Sequence, residues 1–191
     1  MALCPPHSTS PRSRKPPMLF RPLRHLTLAT FMPAPGNQRA RAEGIRFVRA
    51  LRPSASALVI AGRSGTGKTH LLHALAHLAR HQEAPRSVAC LSSDQFTQEV
   101  MRGHFHGDLD HVMDRLVAED LLAVDDVDRL TWHPEVADAL LCVLEKRRQR
   151  QCRSVLTAAM HLGAIQAHPL LDFLDRQPAV ALALTERSKR S

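Results

Sequence analysis

The chain has 191 residues, with 26 basic and 18 acidic side chains and a net charge of +8. This length allows one domain with a tail, and no apolar run is long enough to cross a bilayer, so we predict no membrane association. The four cysteines show no C-x-x-C pairing and no metal-ligand spacing, which favours reduced thiols in a cytoplasmic protein; they are Cys4, Cys90, Cys142 and Cys152.

The basic charge is concentrated at the N-terminus. Seven of the 26 basic residues precede the first acidic residue, Glu43, which leaves 19 basic against 18 acidic residues in the rest of the chain. Six prolines interrupt any helix within residues 1–28. We predict a disordered, basic, proline-rich arm over residues 1–28 and one folded domain over 29–191. A solvated tail, an electrostatic contact with nucleic acid and a transit peptide remain open interpretations of the arm.

A glycine-rich turn lies between a predicted strand and a predicted helix. After a helix over residues 38–51, the apolar run Leu58-Val59-Ile60-Ala61 leads into the pattern G-x-x-x-x-G-K-T at residues 62–69. A helical stretch from Lys68 to about His81 follows. Strand, turn and helix in this order are the context of a phosphate-binding P-loop, so we predict a nucleoside triphosphate site.

Each residue type of the P-loop has a chemical reason. Glycine permits backbone conformations that let successive N–H groups point at phosphate oxygens, and the helix start adds its positive dipole end. Lys68 can reach the β- and γ-phosphates, and the Thr69 hydroxyl can join a Mg²⁺ shell. We predict Lys68 as a catalytic residue, and the predicted nucleotide-binding residues are Gly62, Arg63, Ser64, Gly65, Thr66, Gly67, Lys68, Thr69 and His70.

Four histidines lie on one face of the helix after the P-loop, at His70, His73, His77 and His81. Their spacing would permit a metal site. Because no cysteine or acidic partner is near them in sequence, we favour half-buried histidines that pack against the rest of the domain.

The third predicted strand ends in a pair of carboxylates. Strand Ser87–Leu91 precedes a helix that begins after Ser92-Ser93-Asp94, a loop over residues 103–107 and a helix over 108–116. The next strand, Leu121-Leu122-Ala123-Val124, ends in Asp125-Asp126, the Walker B pattern. We predict that Asp125 holds Mg²⁺ together with Thr69, and that Asp126 is catalytic because it can polarise the attacking water.

The C-terminal third contains a helix and two more strands. The helix runs from Pro134 to about Gln149 and ends in a basic cluster over residues 146–153. Two interpretations of the cluster stay open, a solvated helix end with favourable charges or a nucleic-acid patch. Strands over 154–158 and 179–184 flank a short helix over 168–174. Five strands alternating with helices predict an α/β fold, a five-stranded parallel sheet with helices on both faces.

Three blocks of the sequence resemble one family. The blocks Gly67–Ala74, Leu91–Thr97 and Leu121–Asp126 are similar to the AAA+ domain of the bacterial replication initiator DnaA and of its shorter relative Hda. The resemblance covers residues 30–184 and implies an AAA+ P-loop domain that binds ATP or ADP with Mg²⁺. It also implies that residues 31–37 lie at the adenine pocket and that the segment Ser92–Leu116 matches the part of DnaA that contacts single-stranded DNA.

The chain also departs from the family pattern. Where the family carries a sensor aspartate after the fourth strand, this chain has Ala159, and only Arg176 remains as a candidate arginine finger. We also expect the helical lid subdomain of the family to be missing after the fifth strand. The departures predict weak or absent intrinsic hydrolysis.

We therefore expect an ATP-binding protein of the DnaA/Hda kind that acts in control of replication initiation. Its expected partners are DnaA-like or other replication proteins, with DNA contact and ATP-dependent oligomers as further candidates. The alternatives are a helicase loader or transposition ATPase of the DnaC/IstB kind and a non-hydrolysing interaction module. A small-molecule kinase is disfavoured because residues 103–116 are acidic and rich in histidine rather than a basic lid.

Overall fold

The computed structural model describes residues 20–50, 55–159, 169–177 and 179–182. Five parallel strands form one sheet in the order β2-β3-β4-β1-β5. The strands are β1 (Ala57–Gly62), β2 (Val88–Ser92), β3 (Leu121–Asp125), β4 (Arg153–Ala158) and β5 (Ala179–Leu182). The predicted α/β fold with a five-stranded parallel sheet is therefore confirmed. The strand boundaries differ from the prediction by at most one residue, and the predicted end of the fifth strand, at residue 184, lies outside the described residues.

Helices cover both faces of the sheet, as expected for strands that are apolar along their whole length. The helices are α1 (Gln38–Arg49), α2 (Lys68–His81), α3 (Ser93–His106), α4 (Leu109–Ala118), α5 (Pro134–Gln149) and α6 (Pro169–Asp175). On one face α1 and α2 bury Val48, Leu71 and Leu75. On the other face α3, α4, α5 and α6 bury an apolar core that includes Phe96 and Leu140.

Two local elements differ from the sequence prediction. Helix α3 starts with a capping box between Ser92 and Gln95 and continues through residues 103–106, which we had expected to form a loop. Gly103 lets the start of α4 pack closely against this last part of α3, because a Cβ there would lie only 2.9 Å from the Cα of Leu109. A 3₁₀ helix, Val127–Trp132, follows β3 and was not predicted. In the described part of the chain, no helix is both long and apolar enough to span a bilayer.

Residues 20–28 belong to the domain, which corrects the predicted boundary after residue 28. The carbonyl of Phe20 accepts a hydrogen bond of 3.2 Å from the amide of Cys90, at the edge strand β2. The amide of Leu23 donates to His73 Nδ1 at 3.2 Å, and His77 Nε2 lies 2.8 Å from the Leu23 carbonyl. Burial lowers the pKa of His73, which favours the neutral imidazole whose Nδ1 accepts this bond. The rest of the predicted arm, residues 1–19, lies outside the described residues.

The basic cluster after α5 is partly buried. Arg147 is fully buried, and its guanidinium donates to the carbonyls of Leu116, Val117, Glu119 and Arg153 and to Ser154 Oγ. Arg153 is also buried and donates to the carbonyl of Ala50. These two residues join neighbouring segments of the chain, so neither is available to the nucleic-acid patch considered above.

Candidate nucleotide-binding site

The P-loop lies at the carboxyl end of β1, directly before α2. Gly65 and Gly67 adopt positive φ angles of 77° and 93°, a region that other residues rarely occupy. Gly62 differs from our expectation, because it is the last residue of β1 and has no positive φ. Its carbonyl accepts a 3.0 Å hydrogen bond from Lys68 Nζ, which also lies 3.3 Å from the Arg63 carbonyl. The lysine ammonium is thus held against the turn that would surround a phosphate.

The two predicted metal ligands are in direct contact. Thr69 Oγ1 donates to Asp125 Oδ2 at 2.7 Å, which joins the first turn of α2 to the end of β3. The other carboxylate oxygen of Asp125 accepts a hydrogen bond from the Thr157 hydroxyl. The amide of Asp126 donates to the same hydroxyl at 2.7 Å. Asp125 is buried and fixed by two hydroxyl groups, one on each side.

Asp126 stands beside this pair in a left-handed backbone conformation, with φ of 54°. Its pKa is raised, mainly by burial and then by the neighbouring charge of Asp125, while the charge of Lys68 acts in the opposite direction. A carboxylate with a raised pKa beside a lysine ammonium is a suitable acceptor for a proton from water. The arrangement brings Lys68, Thr69, Asp125 and Asp126 together, and their predicted roles in catalysis and metal binding stay predictions.

A cavity of about 560 Å³ opens above the P-loop. Six of the nine predicted binding residues line it, namely Ser64, Gly65, Gly67, Lys68, Thr69 and His70, whereas Gly62, Arg63 and Thr66 do not. The volume is within the range of about 300–1,000 Å³ that is usual for small-molecule sites. Asp126 and Ala159 also line it.

The segment before α1 closes one side of the site. His70 Nε2 lies 3.1 Å from the Thr27 carbonyl and 3.2 Å from Thr30 Oγ1, and its ring meets Phe31 edge to face at 5.2 Å. Phe31 is buried, and a Cβ on Gly67 would lie 3.5 Å from its ring. Phe31 therefore contacts the P-loop, within the 31–37 stretch that we had expected near the adenine pocket. The second histidine, His73, contacts Leu23 and Cys90, so the stripe anchors this segment, and the described residues contain no cluster of metal-binding side chains.

Sequence reasoning missed four residues of the site. Thr157 is brought level with Asp125 because β4 is the neighbour of β3 in register, and no local pattern in the sequence indicated this adjacency. The other three line the cavity and are Leu26, Asp128 and Arg129. Asp128 Oδ1 accepts a hydrogen bond of 3.0 Å from the amide of Ala159, which ties the 3₁₀ helix to the end of β4.

The candidate arginine finger, Arg176, lies in the turn after α6 and is exposed, and the described residues give it no contact with the cavity.

A P-loop after β1, an inner strand of a parallel sheet, with an acidic β3 end bonded to its threonine, defines a P-loop NTPase-type fold of the α/β class. Residues 23–166 match the family of the bacterial DnaA ATPase domain, so the chain belongs to that family. This confirms the resemblance read from the three sequence blocks.

The chain is also similar to individual proteins, in sequence or in fold. The chain is 27% identical over 133 residues to the chromosomal replication initiator protein DnaA of Leptothrix cholodnii, covering 70% of this chain and 26% of that protein. It superposes on a replication initiator DnaA bound to AMPPCP and single-stranded DNA with a TM-score of 0.78 and 23% identity, over 86% of this chain and 51% of that one. The DnaC helicase loader gives a TM-score of 0.67 at 15% identity, over 84% of this chain and 98% of the loader. The chain thus spans about a quarter and a half of the two initiators, respectively.

Proposed function

We propose that the chain binds ATP with Mg²⁺ at the P-loop and acts in the control of DNA replication initiation. The observation that carries this proposal is the 2.7 Å hydrogen bond between Thr69 Oγ1 and Asp125 Oδ2. It places a hydroxyl and a carboxylate, the oxygen ligands that Mg²⁺ prefers, at one point beside the P-loop. Nucleotide binding is further supported by the AMPPCP found in the solved DnaA relative.

The donor set fits a magnesium ion. Thr69 and Asp125 would hold it, and the Thr157 hydroxyl orients the carboxylate from the far side. The ion would supply charge neutralisation to the phosphates. Lys68 would bind the terminal phosphates, the positive-φ glycines would turn amides toward them, and Asp126 would hold the attacking water.

We propose that hydrolysis by the isolated chain is slow. The cavity wall at Ala159 presents only a methyl group where the family resemblance implies a sensor carboxylate. With no polar side chain at that position, only Asp126 among the proposed groups would orient the water. We therefore expect the chain to act through ATP-dependent contacts with other replication proteins rather than through ATP turnover.

DNA contact is proposed at α3 and α4. This segment corresponds to the region where the resemblance implies single-stranded DNA binding, and one solved DnaA relative is bound to such DNA. On α3 the side chain of Phe105 is 85% exposed and that of Met101 is 52% exposed. Exposed rings of this kind stack with unpaired bases. A helicase loader is the second candidate, because the match with the DnaC helicase loader covers 98% of the loader.

The ATP site is tested by Lys68→Ala, with Lys146→Ala as the matched control. The Lys68 variant loses a charge-assisted contact worth about 1.5–3 kcal/mol, so the Kd for ATP should rise by about 10–100-fold in a calorimetric titration. Lys146 is exposed on α5, away from the site, and its variant should bind ATP like the parent. Equal affinities of the two variants would refute the P-loop assignment.

The replication role is tested by association. Sedimentation of the chain with purified DnaA, and separately with the replicative helicase, in ATP and in ADP distinguishes the two candidates. We expect a complex with DnaA in ATP only, and this complex should be absent with Lys68→Ala. A complex with the helicase instead would establish the loader.

A further inference from the structure

A second cavity lies outside the nucleotide site. It has a volume of about 640 Å³ and is formed between residues 21–29 and the C-terminal half of α2. It shares none of its lining residues with the cavity above the P-loop. The proposed ATP site therefore does not account for it.

Three arginines line this cavity without a partner. The guanidinium groups of Arg21, Arg24 and Arg80 make no hydrogen bond or ion pair with any described residue, and no acidic residue lines the cavity. The undescribed residues 1–19 cannot supply a carboxylate, because the first acidic residue of the chain is Glu43. Like charges gathered in a concave surface raise the local potential and attract anions.

The backbone that carries the arginines is held in place by the fold. His77 Nε2 and His73 Nδ1 bind the carbonyl and amide of Leu23, and both contacts fix the backbone between Arg21 and Arg24. Arg80 projects from the last turn of α2, one turn after His77. Because the opposing walls are anchored to each other, the backbone segments that carry the three arginines are fixed before any ligand arrives, which lowers the entropic cost of binding.

The remaining lining indicates the kind of ligand. Leu28, Ala29, Ala74 and Leu78 add an apolar surface, and no Phe, Trp or Tyr lines the cavity. Single-stranded nucleic acid sites depend on such aromatic rings for stacking, so this cavity lacks their main feature. Its volume suits a small molecule, and arginine pairs well with phosphate oxygens. We propose that this cavity binds a small organic phosphate ester with at least two negative charges.

The test uses the full chain carrying Lys68→Ala, so that phosphate binding by the P-loop is weakened. Calorimetric titration with inorganic pyrophosphate and with fructose 1,6-bisphosphate should give one saturable site per chain for each probe. Adding Arg24→Ala or Arg80→Ala should weaken both probes by about tenfold or more, since each removes a charge-assisted phosphate contact. The matched control is Arg39→Ala, an exposed arginine on α1, which should leave both affinities within about twofold.

Four outcomes would overturn the proposal. They are no saturable binding of either probe, binding of pyrophosphate alone, equal losses in the Arg39 and Arg80 variants, and tighter cavity-dependent binding of a 12-residue oligothymidylate. The last would assign the cavity to a nucleic-acid strand. Urea unfolding of each variant separates loss of binding from loss of folding. Failure of this site would not affect the ATP site, which is tested by Lys68 itself in the parent background.

Discussion

Replacing Arg147 by lysine tests how the buried end of α5 is held. Arg147 is fully buried and satisfies four carbonyls and the Ser154 hydroxyl, at distances that include 2.8 Å to the Leu116 and Glu119 carbonyls. Burial lowers the pKa of its guanidinium to about 10, so the group is still charged at neutral pH. Arg148→Lys is the matched control, because the next residue makes the same change on an exposed side chain.

The magnitude follows from the geometry of the two side chains. Arginine donates five N–H groups from a planar fork, whereas lysine has three donors on one nitrogen. The lysine nitrogen cannot reach Ser154 Oγ, the Arg153 carbonyl and the Leu116 group of carbonyls together, so at least two acceptors lose their donor. Each lost partner in a buried site costs about 1–3 kcal/mol, which gives a loss of about 2–6 kcal/mol in the free energy of unfolding.

Urea unfolding followed by circular dichroism measures this difference, and thermal unfolding gives a second reading. A chain of this size loses about 2–4 °C in Tm per kcal/mol, so Arg147→Lys should melt at least about 4 °C below the parent. Arg148→Lys should unfold within about 0.5 kcal/mol of the parent, as surface substitutions do. Equal unfolding midpoints for the two variants would show that the hydrogen bonds of Arg147 do not stabilise the fold.

Three further predictions concern the site and the N-terminus. Thr69→Val should weaken the dependence of ATP affinity on Mg²⁺ in a calorimetric titration, because only Asp125 of the two proposed ligands remains. Thr97→Val, which removes a hydroxyl bound within α3, should keep the full Mg²⁺ response. An unchanged response in Thr69→Val would contradict the metal assignment. Asp126→Asn should abolish residual ATP hydrolysis and spare ATP binding. The pKa of Asp126 is raised in the folded protein, so its ionised form destabilises the fold at neutral pH. Asp126→Asn should therefore unfold at a higher free energy than the parent at neutral pH, and this gain should vanish as the pH falls below the ordinary value of 3.8. A gain in stability that does not change with pH would be inconsistent with this reasoning. Residues 1–19 contain three basic residues, Arg12, Arg14 and Lys15. If this segment contacts single-stranded DNA, its removal should flatten the dependence of log K on log salt by up to about 2 units, at about 0.7 for each basic residue lost. An unchanged slope would leave DNA contact to the domain.

The sequence was sufficient for elements whose pattern is local. The P-loop, the acidic end of β3 and the capped start of α3 each depend on residues that are neighbours in the chain, and each was located correctly. Family membership followed from the same blocks. The prediction of a loop at residues 103–107 was wrong, because α3 continues to His106. The stretch is polar, rich in histidine and contains Gly103, and it did not indicate that α4 packs closely against this glycine.

Relations between distant residues were decided only by the tertiary structure. Thr157 orients Asp125 because β4 lies between β3 and β1, an order that the sequence does not state. Arg147 looked like part of a charged helix end, yet the fold turns it inward, where carbonyls at the ends of other elements need a donor. Arg21 and Arg24 were assigned to a disordered arm by proline content and charge. The histidine face of α2 binds that segment instead, through side-chain hydrogen bonds to the backbone of Leu23. Backbone groups are the same in every residue, so the sequence of the bound segment did not indicate this contact.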